Sequence, residues 1–378
     1  MSASLWPVAE SRSHALTVPG LSSHRDEAWV WRLLDLDDNE TGILGDDGDF
    51  GVTEGSLEMN VYADTRHSGS MTWVGPAHEQ PNWLRSRIQP VYTATLLDGS
   101  TVEWPMGVYL PATPAVTVKD GVATAQVDLY DKTLVLRQDR LAEDFAYEAG
   151  TNPIAAVWDQ VIGATGTDPS NVPAIEETSE TLRTALFWEA GTSRLRIVND
   201  LLDAAGYFGV WVDGEGRFRS APYRAPRSRP VVWEFAPGEW SIHKDGVTRT
   251  ADSFNVPNRV IAVATGTGDE EALVAEAVNI DPADPYSYQS RGRWVTSEPL
   301  QVDATSLSVL QGHAERSLAA ARQLSTTLDV DHALVPLSGN DRVRFTDPAW
   351  GTVDAVVRSW RFDCAPGSLV RSTLLEVT

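Results

Sequence analysis

Apolar and polar positions alternate with a period of two through much of this chain, most clearly from Gln89 to Leu136. Val91, Thr93, Thr95 and Leu97 alternate with Tyr92, Ala94 and Leu96, and Asp98-Gly99-Ser100 then supplies the flexible, locally hydrogen-bonding residues of a tight turn. Val102, Trp104, Met106, Val108 and Leu110 fall on one face of the returning segment, with Glu103, Gly107 and Tyr109 on the other. Pro105 has no ladder donor, which puts it at an edge, a bulge or a bend, and Gly107 beside it permits another backbone to approach closely. Past Val116 and Val118, Lys119-Asp120-Gly121 marks a second turn, after which Ala123, Ala125, Val127 and Leu129 alternate with Thr124, Gln126 and Asp128. The pattern predicts an antiparallel meander that closes into a barrel or sandwich.

The same period extends to both sides. Ala28 to Leu36 is strand-like, and Met59 and Val61, then Met71 and Trp73, continue the alternation, so residues 25–141 read as one β-barrel-like domain behind an N-terminal arm, residues 1–24. The period changes after that. Asn152 caps a helix with Pro153 in its first turn and Ile154, Val157, Trp158 and Val161 on one stripe, ending at Gly163. Thr192 or Ser193 caps a second, with Leu195, Val198, Leu201 and Leu202 inward and Gly206 at its end. Strands are expected at Leu182 to Phe187, Tyr207 to Val212 and Arg217 to Tyr223, the last two joined by the turn Asp213-Gly214-Glu215-Gly216. Residues 142–225 therefore read as a small α+β domain. Ala225 to Pro230, with prolines and arginines, is the best linker candidate, and a solvated linker is its plain reading. Residues 226–378 form a second β-rich domain, with strands at Arg259 to Ala264, Leu273 to Ile280, Trp294 to Val302, Thr326 to Leu334, Asp341 to Phe345, Val353 to Phe362 and Leu369 to Val377. One helix interrupts it, capped by Asp303, with Leu307, Leu310, Ala314, Leu318 and Ala321 on its apolar side. The fold class expected is mainly β with α+β, two barrel-like domains flanking or joined by a small α+β domain.

Composition narrows the function classes. A formal net charge of -23 argues against binding the outside of duplex DNA, whose phosphates need Lys and Arg, although an acidic surface can line a passage through which nucleic acid moves without sticking. With Cys364 alone, no intrachain disulfide is possible, and folding in a cytoplasm is the plain expectation. Neither a signal peptide nor an apolar run of bilayer length is visible. The 14 Trp residues are spread among strands and loops, which favours core packing over a single binding motif, with the remainder at contacts with subunits or sugars.

Candidate chemistry is sparse. His14, His24, His67, His78, His243, His313 and His332 show no zinc spacing, and Cys364 reads as a small buried hydrophobe. The acidic tract Asp35 to Asp49 has Asp35, Asp37 and Asn39, but Glu40 stands where a calcium loop needs glycine, so a solvated acidic loop is expected. Gly266-Thr267-Gly268 is followed by Asp269, Glu270 and Glu271 and reads as a turn, because carboxylates stand where phosphates would bind. No acidic pair stands out for glycoside hydrolysis. No catalytic, cofactor-binding or metal-binding residue is assigned, and no enzyme activity is expected.

Three segments carry a resemblance. Trp83-Leu84-Arg85-Ser86-Arg87-Ile88-Gln89-Pro90, Trp104-Pro105-Met106-Gly107-Val108-Tyr109-Leu110-Pro111 and Val127-Asp128-Leu129-Tyr130-Asp131-Lys132 resemble the opening domain of minor tail proteins from phages of actinobacteria. Ser193 to Gly206 leading to Val210-Trp211-Val212-Asp213, the Pro257-Asn258-Arg259-Val260 strand, and the helix before a paired-strand C-terminus are similar to the tail-tip or baseplate hub family of tailed phages. The resemblance implies a homotrimer at the tail tip in which six related barrels continue the tail-tube ring around the DNA channel. It implies the distal tail protein, the tape measure protein and other tail-tip proteins as partners, with assembly into the virion after synthesis in the host cytoplasm. Longer relatives carry a cell-wall hydrolase beyond the hub region, and a chain ending at Thr378 is expected to lack one. The competing expectation is a receptor- or carbohydrate-binding tail module with exposed aromatic platforms.

Overall fold

The computed structural model describes residues 21–22, 24–45, 50–166, 172–239, 241–251, 254–264, 273–301, 307–323 and 326–377. Most of the N-terminal arm, Asp46 to Asp49 of the acidic tract, the Gly266-Thr267-Gly268 turn and the Asp303 cap lie outside the described residues. Eight strands open the chain: β1 (Arg25–Leu34), β2 (Glu40–Ile43), β3 (Gly51–Asn60), β4 (His67–Pro76), β5 (Arg87–Leu96), β6 (Thr101–Pro105), β7 (Tyr109–Lys119) and β8 (Val122–Asp131). In β8 the alternation is nearly strict, with Ala123, Ala125, Val127 and Leu129 buried and Gln126 and Asp128 exposed between them.

These strands do not form a sheet of their own. Gly351–Asp363 pairs antiparallel with β3, placing Ser359 opposite Asn60 and Asp363 opposite Ser56. Through that ladder the path runs Thr248–Ala251, Thr326–Ala333, Leu369–Glu376, Gly351–Asp363, β3, β4, β8, β7, β5, β1, β2. Arg342–Asp347 flanks Gly351–Asp363 and carries Val231–Phe235 beside it in parallel. The path is open at both ends, so the expected closure into barrels is replaced, among the described strands, by one continuous mainly β sheet. Within that path β5 pairs with β6 from Val91 to Thr95 and meets β7 only at the bridge between Ile88 and Tyr109.

One apolar core underlies the join. Trp31, Leu57, Met71, Trp73, Tyr92, Trp104 and Leu129 from the first strands share it with Phe235, Leu328, Val343, Phe345, Val357, Trp360 and Leu374 from the last. Full burial of each such side chain is worth about 1.5–3 kcal/mol, so the join is an energetic unit as well as a hydrogen-bonded one. Trp31, Trp73, Trp83, Trp104, Trp188 and Trp360 are buried, in keeping with core packing, while Trp294 is exposed.

A second core gathers around two helices. Pro153–Thr165 is capped by Asn152, whose Oδ1 accepts from the amides of Ile154 and Ala155 at 3.0 Å each. It passes through Gly163 and stops at Gly166, whose φ of 91° suits the residue that leaves a helix. Arg194–Ala204 is capped by Ser193 and packs Leu195, Val198, Leu201 and Leu202 against Ile154, Val157 and Val161. A short antiparallel pair, Phe145–Tyr147 with Leu186–Trp188, whose strands are far apart in the chain, stands in place of the longer Leu182 to Phe187 strand. The Thr133–Gln138 helix, not foreseen in the pattern, follows β8.

A third core is a small sheet, Leu273–Val278, Arg259–Ala264 and Leu300–Gln301, with the Leu307–Gln323 helix on one face through Leu310, Ala314 and Leu318. The strand expected from Trp294 to Val302 shrinks to Leu300–Gln301. The supposed linker is pinned instead of solvated. Arg229, 3% exposed, donates Nε to the Arg224 carbonyl at 2.9 Å and Nη1 to that of Asn340 at 2.7 Å. Arg342 donates Nη1 to the carbonyls of Arg227 and Arg229.

Candidate functional site: a polar face across the joined sheet

Period-two alternation gives the joined sheet one apolar side and one hydrophilic side. On the hydrophilic side, strand register lines up Asp331, Arg371, Arg361, Glu58, Ser68 and Tyr130 across six neighbouring strands. A second row runs Asp363, Ser56, Ser70, Asp128, and Glu54, Thr72 and Gln126 stand beside it. The hydroxyls and acids are knit loosely: Ser56 Oγ lies 3.0 Å from Ser70 Oγ, Ser68 Oγ donates to Glu58 at 2.7 Å, and Thr373 Oγ1 donates to Asp329 at 2.7 Å. Arg371 and Asp331 approach only to 3.8 Å. Six carboxylates, Glu54, Glu58, Asp128, Asp329, Asp331 and Asp363, against Arg361 and Arg371 leave this face formally at -4. Such a surface is wet and acidic.

Charged groups tie the helical region to the sheet. Lys132, 1% exposed, donates to Asp38 at 2.5 Å, Arg87 stands 3.3 Å from the same carboxylate, and Lys132 also lies 5.5 Å from the centre of the Phe218 ring. Burial lowers the Arg87 guanidinium, opposed by Asp38 and Asp37. Asp131 accepts from the His67 amide at 2.8 Å and from the Thr133 amide at 2.9 Å. Arg66 donates to the Gly209 carbonyl at 3.1 Å and lies over the Trp211 ring, and burial pushes it down to about 10 against the pull of Asp131. A cavity of about 90 Å³ remains between His67, Trp104, Trp211, Asp213, Leu337 and Trp360. The close backbone approach expected at Gly107 occurs elsewhere: a Cβ on Gly214 would sit 2.2 Å from the Pro105 carbonyl oxygen, whereas one on Gly107 would meet the Tyr109 ring.

The chemistry candidates stay apart. Among the described residues no group of three or more His, Cys, Asp or Glu is arranged to hold a metal ion. Cys364 packs against the main core, with burial pushing its thiol well up, and its amide donates to the Gly55 carbonyl at 2.8 Å. His243 and His332 do meet, bridging neighbouring segments around Phe235 and Phe345. His332 is 1% exposed, has Nε2 2.8 Å from Ser372 Oγ, and burial brings it down to about 4. A neutral, enclosed imidazole of that kind is a packing group. Asp35 accepts from the amides of Asp37 and Asn39, so its carboxylate organises its own loop. The polar face was written in the alternation of each strand, but the order of the strands across it was not.

No family model and no curated protein sequence matches the chain. Solved structures do. The chain is similar to the tail protein from Neisseria meningitidis MC58, at 13% identity and a TM-score of 0.62, over 92% of this chain and 97% of that one. It is similar to the 43 kDa tail protein of prophage MuSo2 from Shewanella oneidensis, at 11% identity and a TM-score of 0.62, over 92% of this chain and 98% of that one. A chain of the lidded Francisella PdpA-VgrG complex matches at 7% identity and a TM-score of 0.55, over 96% of this chain and 54% of that one. The fold is one shared with phage tail proteins.

Proposed function

We propose that this chain, with the fold of phage tail proteins, is a structural subunit of the tail tip or baseplate hub. Three copies form a ring that continues the tail tube, and the two β-rich portions of each copy enclose the DNA channel. The sequence resemblance adds an actinobacterial phage to the proposal, with the distal tail and tape measure proteins as neighbours. The role is mechanical, with no catalytic step assigned. One observation carries it: a polar, net-acidic face runs unbroken across strands from both ends of the chain, backed by a single shared core. Duplex DNA presents one charge per about 1.7 Å of axis, and binding it requires cations to replace its counterions. A lumen wall of hydroxyls and carboxylates hydrates the passage and repels phosphate, so DNA slides without adhering.

Immunogold electron microscopy of intact virions, with antibody against this chain, tests the role. Label confined to the far end of the tail supports it. Label on the head, along the tail, or absent from the particle would overturn it.

A further inference from the structure

Lys132 and Asp38 are buried in contact, and the proposed role makes no use of them. Asp38 lies in the turn between β1 and β2, and Lys132 directly follows β8, 94 residues on. Their side chains are 1% (Lys132) and 7% (Asp38) exposed, and Lys132 Nζ stands 2.5 Å from Asp38 Oδ2. The other carboxylate oxygen, Oδ1, stands 3.3 Å from Arg87 Nε. The hairpin of Trp211–Val212 and Phe218–Ser220 roofs the pair. Its Phe218 ring centre is 5.5 Å from Nζ, and a Cβ on Gly216 would lie 3.6 Å from Oδ2. An amine and a carboxyl group are thus held together away from water.

The pair also sits at a weak seam of the sheet. Asp131, Tyr109, Ile88 and Leu33 form one row across β8, β7, β5 and β1, and its middle step, Tyr109 with Ile88, is the one ladder contact between β7 and β5 among the described residues. Lys132 continues β8 on one side of that seam. Arg87, beside Ile88, and Asp38, in the turn after β1, belong to the other side.

We infer that Lys132 and Asp38 are a modification site, at which the two side chains condense into an isopeptide bond that staples the seam. The ion pair is the reactant. Nζ passes a proton to Oδ2, exchanging two buried charges for a neutral amine and a neutral acid, the direction a dry site favours. The Nζ lone pair then attacks Cγ and forms the C–N bond, while negative charge collects on Oδ1, where the Arg87 guanidinium meets it. The Cγ–Oδ2 bond breaks as a second Nζ proton follows the departing oxygen. Of the three ammonium protons two leave in water and one stays on the amide nitrogen. The opposite charges cancel, and no oxidant, reductant or further reactant is consumed. Arg87 stabilises the starting carboxylate as well, so condensation is slow relative to folding and the fresh chain carries the ion pair. The amide removes the cost of keeping two opposite charges out of water, and it resists a pull that would open a single hydrogen-bonded bridge. The inference is independent of the ring reading above.

Intact-mass spectrometry of the full chain, unfolded in acid, is the test. After prolonged warming below its thermal midpoint, wild type is expected to weigh one water less than its sequence. Trypsin is then expected to release residues 33–66 joined to residues 120–137, uncut at Lys132. Lys132→Arg and Asp38→Ala are each expected to keep the full sequence mass under the same treatment. Wild type that stays at full mass throughout overturns the inference. So does a lost water with the two peptides recovered separately, which reports an aspartyl succinimide elsewhere, and so does a water still lost in either variant. Should a variant fail to fold, the wild-type mass and digest by themselves support or refute the bond.

Discussion

Replacing Trp104 with alanine tests whether the two β-rich portions are one energetic unit. Trp104 is 2% exposed, stands opposite Tyr92 in the ladder, and stacks on that ring at 4.7 Å with 30° between planes. Its Nε1 donates to Met106 Sδ at 2.8 Å. Removing a buried indole costs about 3–5 kcal/mol, because the cavity it leaves is only partly refilled. Against a total stability of roughly 5–15 kcal/mol that is a large fraction. At about 2–4 °C per kcal/mol for a chain of this size class, Tm falls by roughly 6–20 °C. The alternation by itself predicts that only the first β portion unfolds. The shared core predicts something else: strands at both ends of the chain lose cooperativity together. Differential scanning calorimetry gives the midpoint, and hydrogen exchange mapped to β5 and to Leu369–Glu376 shows whether both loosen. A midpoint within about 2 °C of wild type, or loosening confined to β5 and its neighbours, refutes the reasoning.

Three further outcomes are expected. Lys132→Met leaves Asp38 buried with one partner fewer and costs about 3 kcal/mol; adding Asp38→Asn is expected to cost less than the sum of the single changes, and strict additivity in urea denaturation would show that no lock exists. For His332 the ordinary value near 6.5 is lowered to about 4 in the fold, so its contribution is complete above pH 6.5 and is lost as pH falls toward 4, about 3 kcal/mol over that window. Urea midpoints should therefore drop more steeply from pH 7 to 4 in wild type than in His332→Gln, and parallel curves would contradict the assignment. Gly214→Ala drives a Cβ into the Pro105 carbonyl and is expected to cost about 2 kcal/mol, whereas a thermal midpoint equal to wild type would mean the turn relaxes freely.

What could be read beforehand was local. Asn152 and Ser193 cap their helices because a short side-chain acceptor reaches an amide two or three residues ahead, a fact of spacing alone. Gly163 misled as a terminator because the helix continues to Gly166, and the space above Gly163 is taken by the Arg194 guanidinium, which comes from a distant segment. Arg229 looked like a solvated linker charge and is instead nearly fully buried, since the carbonyls it serves, at Arg224 and Asn340, lie over a hundred residues apart. Around the short Tyr288–Arg291 helix the pattern misled, extending strands to Ile280 and from Trp294, because buried Asn258, Asn279, Asp284 and Ser287 hold that segment in shape and apolar alternation does not.

Within regular strands the amino-acid sequence by itself determined which way most side chains face. Alternation sorted Glu58, Ser70, Asp128 and Arg361 to water and Leu57, Met71, Val127 and Phe362 to the core, strand by strand. Only the tertiary structure decided that Gly351–Asp363 joins β3, that the paired portions leave their sheet open, and that the separate polar faces become one. A strand edge offers the same row of N–H and C=O groups whatever its side chains are, so the pattern along a strand specifies its faces and leaves its neighbours to be chosen by the packing of the whole chain.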